Sequence, residues 1–520
     1  MPALKQFIAK HAAKIAGVLH GWDRIVFHGT LGRGRFNSVR GMRYYLDTSR
    51  VLLKDFVEHA KIMTRTLIQS SLSEAERLGR PVQYLPSSST RKEDVARSIL
   101  LEHPVDEGLI CVLKCIEPCV TFEVHGNRKT QRLELTKDWG KCLHLYHYHL
   151  DPVFGFMHAR IQTWFPFSIQ ICMNGREWLA RRMDEEGLAY ERHGNCFPSV
   201  SDVVRAQSLM DEMPTLNRPR QLERFAHRLN PAHEAMSPRF RVAYYWTMGQ
   251  SEWATDVCFA SSEYLAGIYP QLAWGAIAAF GSKDVMRFLG KRPDARFQGQ
   301  IVSDYKHRPE GIRVKHRMDA NSVKMYDKGG RILRVETTIN NPRPFKVFRE
   351  KQGEDKRCAQ WLRMRRGVAD QHRRAQVSQH ANERYLDALA SLDTTQRLDE
   401  LIQPVTTSTT HHGKRVRGLH PWSEQDRALF EFISAPEHLL AGFRNRDMVQ
   451  AIYPRAQSIQ HKRKAAARIS YRIRILRAHG LIVKLPKARR YRISRKGREI
   501  ASAILLAQRV TVQQLAKAIA

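Results

Sequence analysis

Two histidines one residue apart, His147 and His149, stand in the run CLHLYHYHLDP, with His144 just before them. Alternate side chains of a strand leave the same face, so the two imidazoles can converge on one divalent ion, Mg or Mn, and His is a common metal ligand. Tyr190 follows beyond a helix-like stretch. A phenol beside a metal-polarised phosphodiester can attack phosphorus and hold the cut strand covalently. His147 and His149 for the metal, Tyr190 for attack, and Arg176 or Lys324 to neutralise phosphate charge therefore make a candidate site for metal-dependent endonuclease chemistry. The more ordinary use of such histidines is a half-exposed strand face.

A second group lies in NSVKMYDKGGRILRVETTI, where Gly329 and Gly330 are the two-residue loop of a hairpin. Lys324, Tyr326 and Lys328 alternate onto one side of the first strand, as Arg334 and Glu336 do in the second, giving a cationic strip beside an aromatic ring. Cross-strand ion pairs on a solvated face are the competing reading. The acids Glu252, Asp256, Asp284, Asp304 and Asp319 lie in the same region, with Glu252 and Asp256 spaced to share a helix face. Trp361 to Ala390 reads as a long helix carrying Arg363, Arg365, Arg366, Arg373 and Arg374. Cys111, Cys115 and Cys119 recur every fourth residue in a strand-like run and read as buried free thiols, too spread along it to share one ion.

The densest charge lies near the C-terminus. Between Arg455 and Arg498 there are sixteen Lys and Arg and no Asp or Glu. From Lys464 to His479, Ile469, Ile473 and Leu476 form a helical stripe, and Arg468, Arg472 and Arg477 fall largely outside it. Leu481 to Val483 and Tyr491 to Ile493 can pair across a basic turn with Lys487, Arg489 and Arg490. Ser423 and Asn445 open two earlier helices.

The order helix, helix, helix, hairpin, with the ending LRAHGLIVKLPKARRYRISRKGREIA, resembles the MarR-like winged-helix DNA-binding domains over about the last hundred residues. That resemblance implies a third helix in the major groove and a wing on the backbone, with Arg468, Arg472, Arg477, Lys487, Arg489 and Arg490 as contacts. His147, Tyr148 and His149 resemble the histidine-hydrophobic-histidine motif of rolling-circle replication initiators and single-strand transposases. Lys324 to Lys328 with Arg334 and Glu336 resembles a short pattern in phage and plasmid replication proteins.

The chain has 520 residues, 42% of them hydrophobic, which is enough for several cores. Its 86 basic and 51 acidic side chains leave a net charge of +35, which points to a polyanionic partner. No run of roughly 20 apolar residues suggests a membrane span. Met1 to Leu19 reads as a helix of the folded protein, not a secretory signal, and the scattered cysteines fit a reducing cytoplasm.

The expected fold is multidomain α+β. Residues 1–215 form an N-terminal α/β region with a mixed sheet, 221–390 a basic α+β region ending in a long helix, 391–418 a linker and 419–520 the winged helix. The expected function is nucleic-acid binding in a plasmid- or transposon-like element, with duplex DNA on the winged helix and a strand on the basic core. Lys324, Tyr326, Lys328, Arg363, Arg366, Arg373 and Arg374 are the core's candidate contacts. The alternatives are a non-enzymatic protein that clamps structured RNA, and a transcription regulator.

Overall fold

The computed structural model describes residues 5–215, 218–230, 233, 243–293, 297–308, 311–351, 359–390, 398–434, 438, 442–454, 458–486 and 488–508. The strands that carry the argument are β1 (Ile15–Thr30), β2 (Val82–Leu85), β3 (Gly108–Asn127), β4 (Arg132–Asp151), β5 (Gly155–Gln162), β6 (Ile169–Asn174), β7 (Tyr190–His193), β8 (Cys196–Val200), β9 (Tyr245–Phe259), β10 (Ile301–Arg308), β11 (Gly311–Met318), β12 (Asn321–Lys328) and β13 (Ile332–Ile339). The chain is α+β and forms two compact units interleaved in sequence. One comprises Lys14–Ser262 and Ala320–Asn382, the other Met1–Ala13, Glu263–Asp319 and Glu383–Ala520.

In the first unit the strands lie in the order β12, β13, β9, β1, β6, β5, β4, β3, β2. The sheet is antiparallel except where β2 joins β3, so it is mixed, as expected. Its central strands alternate cleanly. Val335, Thr337 and Ile339 of β13 and Trp253 and Thr255 of β9 are buried, and the helix Gln371–Ala390 bonds to this face through Gln379 and Asn382. Their neighbours Arg334, Glu336, Glu252 and Asp256 leave the opposite face. The main core collects Trp22, Ile25, Phe27, Phe165, Trp178, Leu209 and Trp253. Trp22 and Trp253 meet edge to face at 4.8 Å across the β1–β9 seam.

The chain runs one course twice. A long strand, helices and a run of four strands, β3 to β6 and β10 to β13, follow in order in each pass, which ends on a helix at Glu185 and again at Ala390; β2 interrupts the helices of the first pass, and the strands Lys346–Glu350 and Ala359–Arg363 precede the last helix of the second. In each pass the last of the four strands returns antiparallel to the first, β6 on β1 and β13 on β9.

The second unit holds the β10–β11 hairpin and a separate C-terminal core of Val405, Leu429, Phe430, Ile433, Phe443, Ile469, Ile473, Leu476, Ile482 and Ile500. Around that core pack the helices Glu424–Ser434, Asn445–Ile452, Ile459–Ala478 and Arg495–Ala507, with the hairpin Ile482–Lys484 and Tyr491–Ile493.

Several expectations give way to tertiary pairing. Among the described residues the N-terminal helix is Lys5–His11, and it does not reach Leu19, because from Ile15 the chain is strand β1 beside β9. Glu252 and Asp256 do not share a helix. They lie in β9, whose backbone is paired on both sides. Trp361 belongs to the hairpin Lys346–Glu350 with Ala359–Arg363, and the helix begins at Gln371. Part of the supposed linker is folded: Leu398–Thr406 is a helix, Thr409–His411 pairs with Lys414–Val416, and Val405 and Val416 are fully buried in the C-terminal core. Residues 391–397 and Lys487 lie outside the described residues.

Candidate functional site

The helix Ile459–Ala478 is capped by the Ser458 side chain, which accepts from the His461 backbone N–H. It buries Ala465, Ile469, Ile473, Ile475 and Leu476. Everything charged is therefore turned away from the core. Lys462, Arg463, Lys464, Arg468 and Arg474 are exposed, and among the described residues none has an ion-pair partner. Arg474 lies over the Tyr471 ring at 5.0 Å. Arg472 is more constrained, donating to Gln425 at 3.2 Å with its guanidinium 5.8 Å from the Tyr453 ring centre. Arg477 is half-buried, as is Arg490, while Arg489 is exposed.

Phe443 and Tyr491 exchange backbone hydrogen bonds of 2.8 Å, a one-residue bridge against the two-stranded hairpin. The same unit brings Lys283 near this edge, a residue with no sequence signal. Repulsion from Arg492, then burial and the charges of Arg287 and Arg498, push its pKa down. Asp284 opposes that shift and pairs with Arg287 at 3.9 Å and Arg498 at 3.8 Å, so part of this positive charge is already matched.

His147 and His149 face the same side of β4, as their spacing predicts, but that side is inside. They are 3% and 6% exposed. Burial lowers their pKa values to about 4 and about 3, with His147 and Arg228 further disfavouring a charged His149. Both rings are thus neutral near pH 7, the form that ligates metal. Nδ1 of His147 and both ring nitrogens of His149 have no hydrogen-bond partner. The two residues line a cavity of about 140 Å³ with Ser70, Ser71, Glu74, Leu109 and Arg228. Glu74 also lines this cavity, but Arg77 holds its carboxylate at 2.8 Å, and the donor atoms of His147, His149 and Glu74 do not all fall within 4.8 Å of one another. Tyr190 stands elsewhere in β7. Its hydroxyl donates to Asp184 at 2.8 Å and its ring packs on Phe197, and burial with the Asp184 bond pushes its pKa up to about 12. It does not line the histidine cavity, and Arg176 faces another network.

That network occupies the opposite face of the sheet. Lys324 pairs with Glu336 at 2.8 Å, and the Tyr326 hydroxyl donates to the same carboxylate at 3.0 Å. Arg334 clasps Asp256 with two bonds of 2.6 and 2.8 Å and reaches Asp23 at 3.4 Å. Arg176 meets Asp256 from the start of a helix at 3.1 Å. Burial alone would raise the Asp256 pKa, but Arg334 and Arg176 hold it low. Glu252 goes the other way, to about 7, through burial and then repulsion from Glu336.

The first half of the sheet carries a like arrangement. There Glu117 takes Lys92, Arg160 and the Tyr146 hydroxyl, each at 2.8 Å. Lys324 and Tyr326 thus form the cross-strand ion pair and hydrogen bond of the competing reading, although both stay half-buried beside a surface. Arg374, expected to contact nucleic acid, is 1% exposed and its guanidinium serves the Met248 and Ile339 carbonyls. Arg373 pairs with Asp370 at 3.0 Å, whereas Arg363 and Arg366 are exposed.

No protein-family model, no curated protein and no solved structure matches the chain. Among the described residues no helix is long and apolar enough to cross a membrane.

Proposed function

We propose that this chain is a nucleic-acid-binding protein of a plasmid- or transposon-like element, working in a reducing cytoplasm, whose C-terminal helices and hairpin act as a winged helix on duplex DNA. The observation that carries the reading is the outer face of Ile459–Ala478, where Lys462, Arg463, Lys464 and Arg468 are exposed without carboxylate partners among the described residues. A solvated helix face ordinarily intersperses both signs, and a face of one sign holds counterions that phosphate can replace. The helices packed with a two-stranded hairpin, which Phe443 joins to the preceding segment through its bridge to Tyr491, support the winged-helix assignment.

The test is fluorescence anisotropy with a labelled duplex across a salt series. Binding whose logarithm falls linearly with the logarithm of salt, and a shallower slope in Arg468→Ala, is expected. Absence of duplex binding at low salt overturns the proposal. Treating the purified protein separately with RNase and DNase, then following its absorbance ratio, distinguishes a tightly held structured RNA.

A further inference from the structure

The long β3–β4 hairpin brings together three metal-ligating side chains that the spacing of the cysteines in sequence does not disclose. Cross-strand pairing sets Cys142 opposite Glu117, His144 opposite Cys115 and Cys119 opposite Gly140. Directly opposed residues share a face, so Cys119, Cys142 and His144 all project to the side away from His147 and His149. The two sulfurs are 3.3 Å apart, and one donor atom from each residue falls within 4.8 Å of the others. We infer that Cys119, Cys142 and His144 form a zinc site with three protein ligands.

Several features suit a soft-to-borderline divalent cation. His144 is 1% exposed, and burial followed by the Arg160 charge lowers its pKa to about 4, so it is neutral at physiological pH. Its Nδ1 lies 3.2 Å from the Cys142 carbonyl, a bond that places the proton on Nδ1 and leaves the Nε2 lone pair for a metal. The two sulfurs are within hydrogen-bond distance of each other, and zinc binding would release the thiol protons to solvent.

Arg160 and Lys92 bear on the cluster electrostatically, but both are neutralised in part by Glu117 at 2.8 Å. The geometry is close to what zinc needs. With Zn–S near 2.3 Å and Zn–N near 2.0 Å, two sulfurs on one tetrahedral ion stand roughly 3.7 Å apart and sulfur and nitrogen roughly 3.5 Å, so the sulfurs need to part by a few tenths of an ångström and the His144 ring to close in from within 4.8 Å. Of the three residues Cys142 borders a cavity of about 530 Å³, with Thr121, Lys141 and Thr163. Three protein ligands leave the fourth tetrahedral position of zinc to a water or an incoming group.

The experiment uses the full chain under reductant. Metal analysis after dialysis, and titration of the metal-free protein with cobalt, should give about one equivalent, with a sulfur-to-cobalt charge-transfer band and the visible bands of tetrahedral cobalt. Cys119→Ser and Cys142→Ser should each weaken or remove the charge-transfer band, and His144→Gln should keep it while shifting the visible bands. His147→Ala and His149→Ala should leave the spectrum unchanged, because those rings face the other side of the strand. The wild-type titration decides the matter even if a variant fails to fold. No charge-transfer band while both thiols still react with a thiol reagent overturns the site. So does a Cys119–Cys142 disulfide that persists under reductant.

Discussion

Arg334 and Arg468 carry the same guanidinium and do opposite things with it. Arg334 is fully buried in the sheet and held by Asp256, Asp23 and the Asn195 carbonyl. Arg468 stands exposed on a helix whose neighbouring charges are all positive, and has no ion-pair partner among the described residues. A cation buried among carboxylates has its charge already matched and serves to join strands. A cation in water beside others of its sign is satisfied only by counterions, and a polyanion displaces them with a gain in entropy. Net charge therefore identifies a partner class, but pairing identifies the surface.

The largest effect that would sharpen this contrast is in the sheet. Arg334→Met leaves Asp256 and Asp23 short of a partner and is expected to cost about 3–5 kcal/mol, read as a fall in the denaturation midpoint, because removing one member of a buried pair strands the other. Arg468→Glu with Lys464→Glu should instead leave the denaturation midpoint near wild type and weaken duplex binding by on the order of tenfold or more, since each 1.4 kcal/mol is a factor of ten. Lys324→Met makes the division vulnerable. With its ammonium engaged by Glu336, its loss should change duplex affinity little, and a loss equal to that of the C-terminal variant without unfolding would collapse the distinction.

Two smaller effects depend on pH. His147 and His149 have folded pKa values near 4 and 3, below the ordinary histidine value, so the unfolded chain binds more protons in that interval. Their contribution to stability is present above about pH 6.5 and is lost as pH falls towards 4. A His147→Leu, His149→Leu chain should show a shallower acid loss in thermal melts.

Glu252 titrates in the opposite sense. With its pKa raised to about 7, the folded state holds the extra proton, and stability declines as pH rises from the ordinary carboxylate range through 7. Glu252→Gln should flatten that decline. An unchanged melting profile between pH 5 and 8 would show that Glu252 is as well solvated as any surface carboxylate.

Periodicity made the C-terminal domain readable because its information is local. The Ile469, Ile473, Leu476 stripe names the buried side of one helix, and charges off that stripe have to be outside whatever the helix packs against. The hairpin at Gly329 and Gly330 was legible for the same reason, since both glycines take positive φ and the flanking residues alternate, but Lys328 pairs with Ile332, so Arg331 joins the turn and the loop has three residues instead of the expected two. Glu252 and Asp256 were misread as helical because i, i+4 spacing also fits one face of a strand, and only pairing with β1 and β13 decides between them. The His147 and His149 spacing gave a shared face but not which face. Leu109, Ser71 and Arg228, distant in sequence, put it inside.

Local spacing and composition by themselves determined a basic, α+β, multi-core chain, a C-terminal helix with one apolar stripe and one cationic side, and a two-glycine hairpin. Only the tertiary structure decided which cations are spent on carboxylates, that β9 and β13 join the sheet of β1 to β6, and that Cys119, Cys142 and His144 meet. The physical reason is range: side-chain periodicity acts over a few residues, whereas burial and charge pairing depend on strands that the chain brings together from tens or hundreds of residues away.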